Sequence, residues 1–166
     1  MTPEEGKNII SKGIEGLRSI DPNTPPAFGV MTSVDMIRHL MGSLALTFYE
    51  KPVELEIPKD KVGKAQAFLA GPHMIRPGAT KPVFYEELSP SVDEGEFSEW
   101  VDRLEAQYAR TLDYVSSAPE DWQHAHPKFG TLDKDQWWLF QGKHFYHHLS
   151  QFGVFPRLTI WEGLPD

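Results

Sequence analysis

Lys143-His144-Phe145-Tyr146-His147-His148-Leu149-Ser150-Gln151-Phe152-Gly153 sets three histidines within little more than one helical turn. His144 and His148 are four residues apart, which on a helix leaves them roughly 40° apart on one face. Two imidazoles so placed can bind one divalent ion while the backbone stays helical. Gly153 reads as the left-handed residue that closes such a helix. A third ligand must then come from another element. His39, alone inside a second amphipathic stretch, is the candidate.

Working outward from this segment, the helix that carries it begins near Thr131 or Asp133, where Asp133 and Gln136 have capping-box spacing. Thr2-Pro3-Glu4-Glu5 marks a first helix with Ile9, Ile10, Ile14 and Leu17 on one face. A second opens at Thr32 or Ser33 and carries Met36, Ile37, Leu40, Leu44 and Phe48 as far as Lys51-Pro52. A third runs from about Val92 to Ser116, with Phe97, Val101, Leu104, Tyr108, Leu112 and Val115 as its stripe. Residues 52–91 are punctuated by Pro58, Pro72, Pro77, Pro82 and Pro90, with one short helix from Lys59 to Leu69. A link of ~40 residues exceeds ordinary loop length and reads as a crossover packed on the body. The tail from Val154 to Asp166 keeps Phe155, Leu158, Ile160 and Trp161, too apolar to be simply solvated.

The pattern predicts an all-α fold: a four-helix bundle, up-down-down-up, with the long crossover between the second and third helices. One domain over residues 1–166 is expected. The second and fourth helices then run antiparallel. His39 lies seven residues past Thr32, ~10 Å along its axis. His148 and His144 lie ~6 and ~12 Å from the facing end of the fourth helix, so the lone histidine is level with the pair. The expected ligands are His39, His144 and His148. His147 shares their face and reads as a packing or hydrogen-bonding neighbour behind them. Gln151 lies on that face and could bond a water; Trp137 and Phe140 could wall a pocket; Asp35 could orient a histidine ring. His73, His124 and His126 fall in predicted loops with no spacing to recommend them.

Pro26-Ala27-Phe28-Gly29-Val30-Met31-Thr32 resembles Pro127-Lys128-Phe129-Gly130-Thr131-Leu132-Asp133. Each precedes a histidine-bearing helix, and a shared entry turn with Gly in a special conformation explains both.

Composition narrows the chemistry. With no cysteine, disulfides, thiolate metal sites and cysteine nucleophiles are excluded, so any metal is held by nitrogen and oxygen. Sixteen basic against 24 acidic residues give a net charge of −8, which argues against nucleic acid. No export signal or membrane-spanning run is legible, so a cytoplasmic location is expected. Nucleotide-binding glycine motifs and serine-hydrolase elbows are absent.

Phe28-Gly29-Val30-Met31 with Met36-Ile37-Arg38-His39-Leu40 is similar to the DinB-like (YfiT-like) superfamily of metal-dependent proteins. So is Phe129-Gly130-Thr131-Leu132 followed by Lys143 to Gly153, which looks closest to a poorly characterised branch. The resemblance implies an up-down-down-up bundle, a three-histidine divalent site at His39, His144 and His148, and a homodimer. The family includes transferases that use low-molecular-weight thiols, and isomerases. All-imidazole ligation favours zinc or nickel. Two function classes stay open. One is a metal-dependent enzyme of thiol-dependent transferase or hydrolase type, acting on a small molecule. The other is a non-catalytic bundle, stabilised by metal or holding a ligand.

Overall fold

The computed structural model describes residues 1–79, 81–93 and 95–164. Among them the chain forms six α-helices and one two-stranded sheet: α1 (Pro3–Leu17), α2 (Ser33–Ala45), α3 (Val62–Ala70), α4 (Phe84–Leu88), α5 (Phe97–Ser117), β1 (Gln123–His126), β2 (Gly130–Asp133) and α6 (Lys134–Gln151). The fold is mostly helical, as expected, with a small sheet added.

Helix starts follow local chemistry. Thr2 with Glu5, Thr32 with Asp35, and Asp133 with Gln136 each form a reciprocal capping box at α1, α2 and α6. The expected stripes are buried: Ile9, Ile10, Ile14 and Leu17 on α1, and Met36, Ile37, Leu40 and Leu44 on α2. Helix α1 packs chiefly on α6, and α2 chiefly on α5, with α1–α5 and α2–α6 contacts completing a shared core. The α1–α6 approach depends on two glycines. A Cβ on Gly142 would lie 2.5 Å from the Gly6 Cα, and one on Gly6 would lie 2.4 Å from the Trp138 carbonyl oxygen. No other residue fits there without parting the helices.

Three expectations are corrected. The third long helix starts at Phe97 rather than Val92, because Glu96 caps it in a box with Glu99; Glu94 lies outside the described residues. The α-helical part of α2 stops at Ala45, and Leu46–Phe48 tightens into a 3-10 turn. The stretch before α6 is an antiparallel hairpin that pairs Gln123 with Asp133 and His126 with Gly130, not a plain loop. Gly130 at φ 68° closes its three-residue link. Gly29 has φ 78°, so the two similar Phe-Gly segments do share a left-handed glycine.

The crossover packs on the body as expected: α3 lies on α6 and α4 on α2. Its link after α3 is tied down by Lys143, a fully buried ammonium on α6. Lys143 donates to the carbonyls of Phe68, Gly71 and His73 at 2.7–2.9 Å. Burial lowers its pKa to about 8, and three acceptors for three protons keep it charged at neutral pH. The apolar tail folds back on its own chain. Phe155 stacks on Tyr146 at 5.0 Å, and the Trp161 amide donates to the Pro72 carbonyl at 2.7 Å. No described helix is long and apolar enough to cross a membrane.

Candidate metal centre

The antiparallel α2 and α6 bring His39, His144 and His148 together, with one ring nitrogen from each lying within 4.8 Å of the others. The turn that leads into α2 is fastened to the end of α6 by a hydrogen bond from the Ala27 amide to the Gln151 carbonyl. That bond sets the level at which His39 meets the pair. All three rings are buried, and His39 sits 4.6–4.8 Å from the other two, centroid to centroid. No carboxylate joins the group among the described residues.

Their hydrogen bonds decide which nitrogen is available. Gln151 donates its amide N–H to the Phe28 carbonyl at 3.0 Å, so its oxygen must face His148. His148 Nδ1 therefore carries the proton and donates to Gln151 Oε1 at 2.6 Å. The same logic holds at His144. Gln141 donates to the Ser43 carbonyl at 3.1 Å, and its oxygen accepts from the Ser43 hydroxyl at 2.9 Å. Ser43 Oγ is then an acceptor for His144 Nδ1–H at 3.1 Å. Both residues keep Nε2 as a bare lone pair, the state a metal ligand needs. His39 Nε2 lies 2.8 Å from His144 Nε2 and is the donor of that contact. It must shift its proton to Nδ1 to ligate.

Burial lowers the pKa of all three. His39 falls to about 4, with Lys81 adding to the effect, and His144 and His148 fall well below the ordinary imidazole value. Desolvation disfavours the imidazolium, so the rings stay neutral in the folded chain. Three neutral nitrogen donors, with two tautomers fixed from behind, are a chemically sound set for a divalent ion.

The other anticipated residues are placed as follows. His147 Nδ1 donates to the Ile75 carbonyl at 3.1 Å and its ring meets Phe28, tying the crossover to α6. Gln151 binds protein at both ends of its amide, the Phe28 carbonyl and His148, and so positions the His148 ring. Asp35 serves the α2 cap and Arg38, not a histidine ring. Trp137 lies behind the wall against Phe140 and His126, while Phe140 stacks on His144 at 5.3 Å.

The sequence reading passed over Ser43, Gln141, Tyr85 and His126. His126 is buried, accepts the Lys128 amide on Nδ1 and so donates from Nε2 to the Tyr85 hydroxyl at 2.6 Å. Burial lowers His126 to about 3 and raises Tyr85 far above its ordinary value. Both remain neutral. Ser43 is four residues after His39, and Gln141 is three before His144, so their helical spacing was a usable signal. Tyr85 and His126 sit on a five-residue helix and a four-residue strand, which carry no period.

The three imidazoles open onto a cavity of about 680 Å³. Its walls come from the Phe28–Met31 entry turn, the crossover from Phe68 to Tyr85, the hairpin and α6.

A family model described as "Protein of unknown function (DUF1569)" matches residues 87–154, a span that holds α5, the hairpin, and α6 with His144 and His148. His39 lies outside that span. No curated protein and no solved structure matches the chain.

Proposed function

We propose that this chain is a divalent-metal-dependent enzyme of the DinB-like type, one domain built as an up-down-down-up bundle of α1, α2, α5 and α6. His39, His144 and His148 are its metal ligands, with zinc or nickel the preferred ion. The observation that carries this is the convergence of three neutral imidazoles, free of any carboxylate, on the floor of a substrate-sized cavity. Three protein ligands leave a coordination position for substrate, the mark of a catalytic rather than a structural site. The shared core of the four long helices supports the bundle reading.

A divalent ion bound there supplies a Lewis acid that brings a water or thiol toward deprotonation at neutral pH. The reaction class is hydrolysis of, or thiol-dependent transfer to, a small molecule. The chain's own part is positional. Ser43 and Gln151 hold the rings of His144 and His148, and Phe28, Phe129 and Phe140 give the cavity an apolar lining. Tyr85 remains a protonated phenol within 5.4 Å of the His39 ring, centroid to centroid.

Elemental analysis of gently purified wild type and His144→Ala tests the ligand set. The expected result is about one equivalent of divalent metal in the first and little in the second. Equal metal in both would sink the assignment. Metal-loaded protein is then screened with ester substrates, and with thiols plus an electrophile. Turnover abolished by a chelator supports catalysis, whereas loss of the fold on chelation would make the metal structural.

A further inference from the structure

The chain carries 24 acidic and 16 basic residues, yet its cavities reverse that balance. The charged residues lining the histidine cavity are Arg76, Lys81 and Lys128, with no carboxylate among them. A second hollow of about 540 Å³ adjoins it and shares His73 to Arg76. Its charged residues are Arg76 and Arg157, again without a carboxylate. Among the described residues, four cations and no carboxylate line the two spaces, in a chain where acids outnumber bases.

Arg76 forms no ion pair among the described residues, and it belongs to both hollows. Lys81 pairs with Glu86, which is not part of the lining, so Arg76 is the mouth's cation without an ion-pair partner among the described residues and Lys81 is the second donor there. Arg157 stands 5.5 Å over the ring of Phe28, at the seam between the hollows. Deeper in, the wall is apolar: Phe28, Met31, Phe68, Ile75, Phe129 and Phe140. An apolar bore with a cationic rim suits a ligand with an aromatic or aliphatic body and one anionic group. The planar fork of Arg76 favours a carboxylate, sulfonate or phosphate over a halide-like point charge.

We propose that the cavity selects small amphiphilic organic anions, with Arg76 and Lys81 receiving the charged group at the mouth while the apolar body lies against the aromatic wall. This rests on reading the cavity as the substrate site, but not on the metal being present. Arg76 and Lys81 both lie on the crossover, outside the helices that hold the histidines.

The test uses the full chain and two fluorescent probes with the same rings. One is 8-anilinonaphthalene-1-sulfonate; the other is the uncharged N-phenyl-1-naphthylamine. A sulfonate is a poor ligand for divalent metals, so the rim is read separately from the metal. The sulfonate probe is expected to bind about tenfold tighter than the neutral one, with and without chelator. The Arg76→Gln/Lys81→Gln double variant, or high salt, is expected to remove that preference while leaving the neutral probe unchanged. Neutral binding as tight as sulfonate binding in wild type overturns the proposal. So does a double variant that keeps the preference. A preference lost on chelation but intact in the double variant places the anion on the metal and also overturns it. If no metal binds but the rim preference is present, the metal reading fails and this one stands.

Discussion

The hydroxyl of Ser43 decides which nitrogen of His144 carries the proton, and the amide of Gln151 does the same for His148. Each acts from behind the ring, without approaching the place where an ion would sit. A ligand ring that loses such a partner becomes free to rotate and to exchange tautomers, and it holds metal less well. Ser43→Ala and Gln151→Leu are therefore each expected to weaken metal binding about 10–100-fold while the chain stays helical. Competition against a chelating indicator, with circular dichroism as the control, reads both effects. Unchanged affinity in both variants would show that the rings are held by packing alone. The sequence named Gln151 through its place on the histidine face, three residues after His148, but its second partner is the Phe28 carbonyl, and no spacing rule connects residues so far apart in the chain. Asp35 shows the opposite case. It was expected to orient a histidine ring, yet the nearer demand of the α2 cap claims the carboxylate.

At the level of elements, α1, α2 and α5 were legible because their apolar residues recur at helical spacing, and α6 because of its Asp133 cap, its histidine pair and Gly153. Three of the four open on Thr or Asp caps with the matching partner three residues later. The hairpin was not legible, since four-residue strands are too short for alternation to register against loop composition. Helix α4, five residues long, was hidden for the same reason, and with it Tyr85. The 52–91 region was rightly expected to pack on the body, but what fixes it is the buried Lys143, a single residue with no pattern around it. Close packing of α1 on α6 was not legible either, because a helix-interior glycine reads only as a mild weakness until its neighbour is known. Gly142→Ala brings a methyl onto the backbone of Gly6, where nothing flexible can yield. The variant is expected to lose about 1–3 kcal/mol despite alanine's better helix propensity. Urea unfolding measures it. A stabilised variant would mean that the two helices are not in contact at these glycines.

For the whole molecule, the decisive feature is how many imidazoles are buried without charge. His39, His126, His144, His147 and His148 all have pKa values lowered chiefly by burial. Above about pH 7 both folded and unfolded chains hold them neutral, so they do not affect the balance. As pH falls through about 6.5, the unfolded chain takes up protons that the folded chain refuses, and stability falls with pH. The loss continues until the folded values are reached, about 4 for His39 and about 3 for His126. Each such imidazole costs about 1.4 kcal/mol per pH unit within its window, and a domain has only some 5–15 kcal/mol to lose. Carboxylates held low, such as Asp35 beside Thr32 and Glu86 beside Lys81, act with the same sign but only below about pH 4.5. The metal-free protein is therefore expected to unfold from about pH 5, before the carboxylates titrate. Metal bound to the three neutral rings opposes their protonation, so at saturating metal the transition is expected to move to lower pH. Far-UV circular dichroism across pH 3–8, with chelator and with excess zinc, follows both curves. A metal-free transition that begins only below pH 4, and is the same with zinc, would show that the buried histidines neither destabilise the apo fold nor bind the ion.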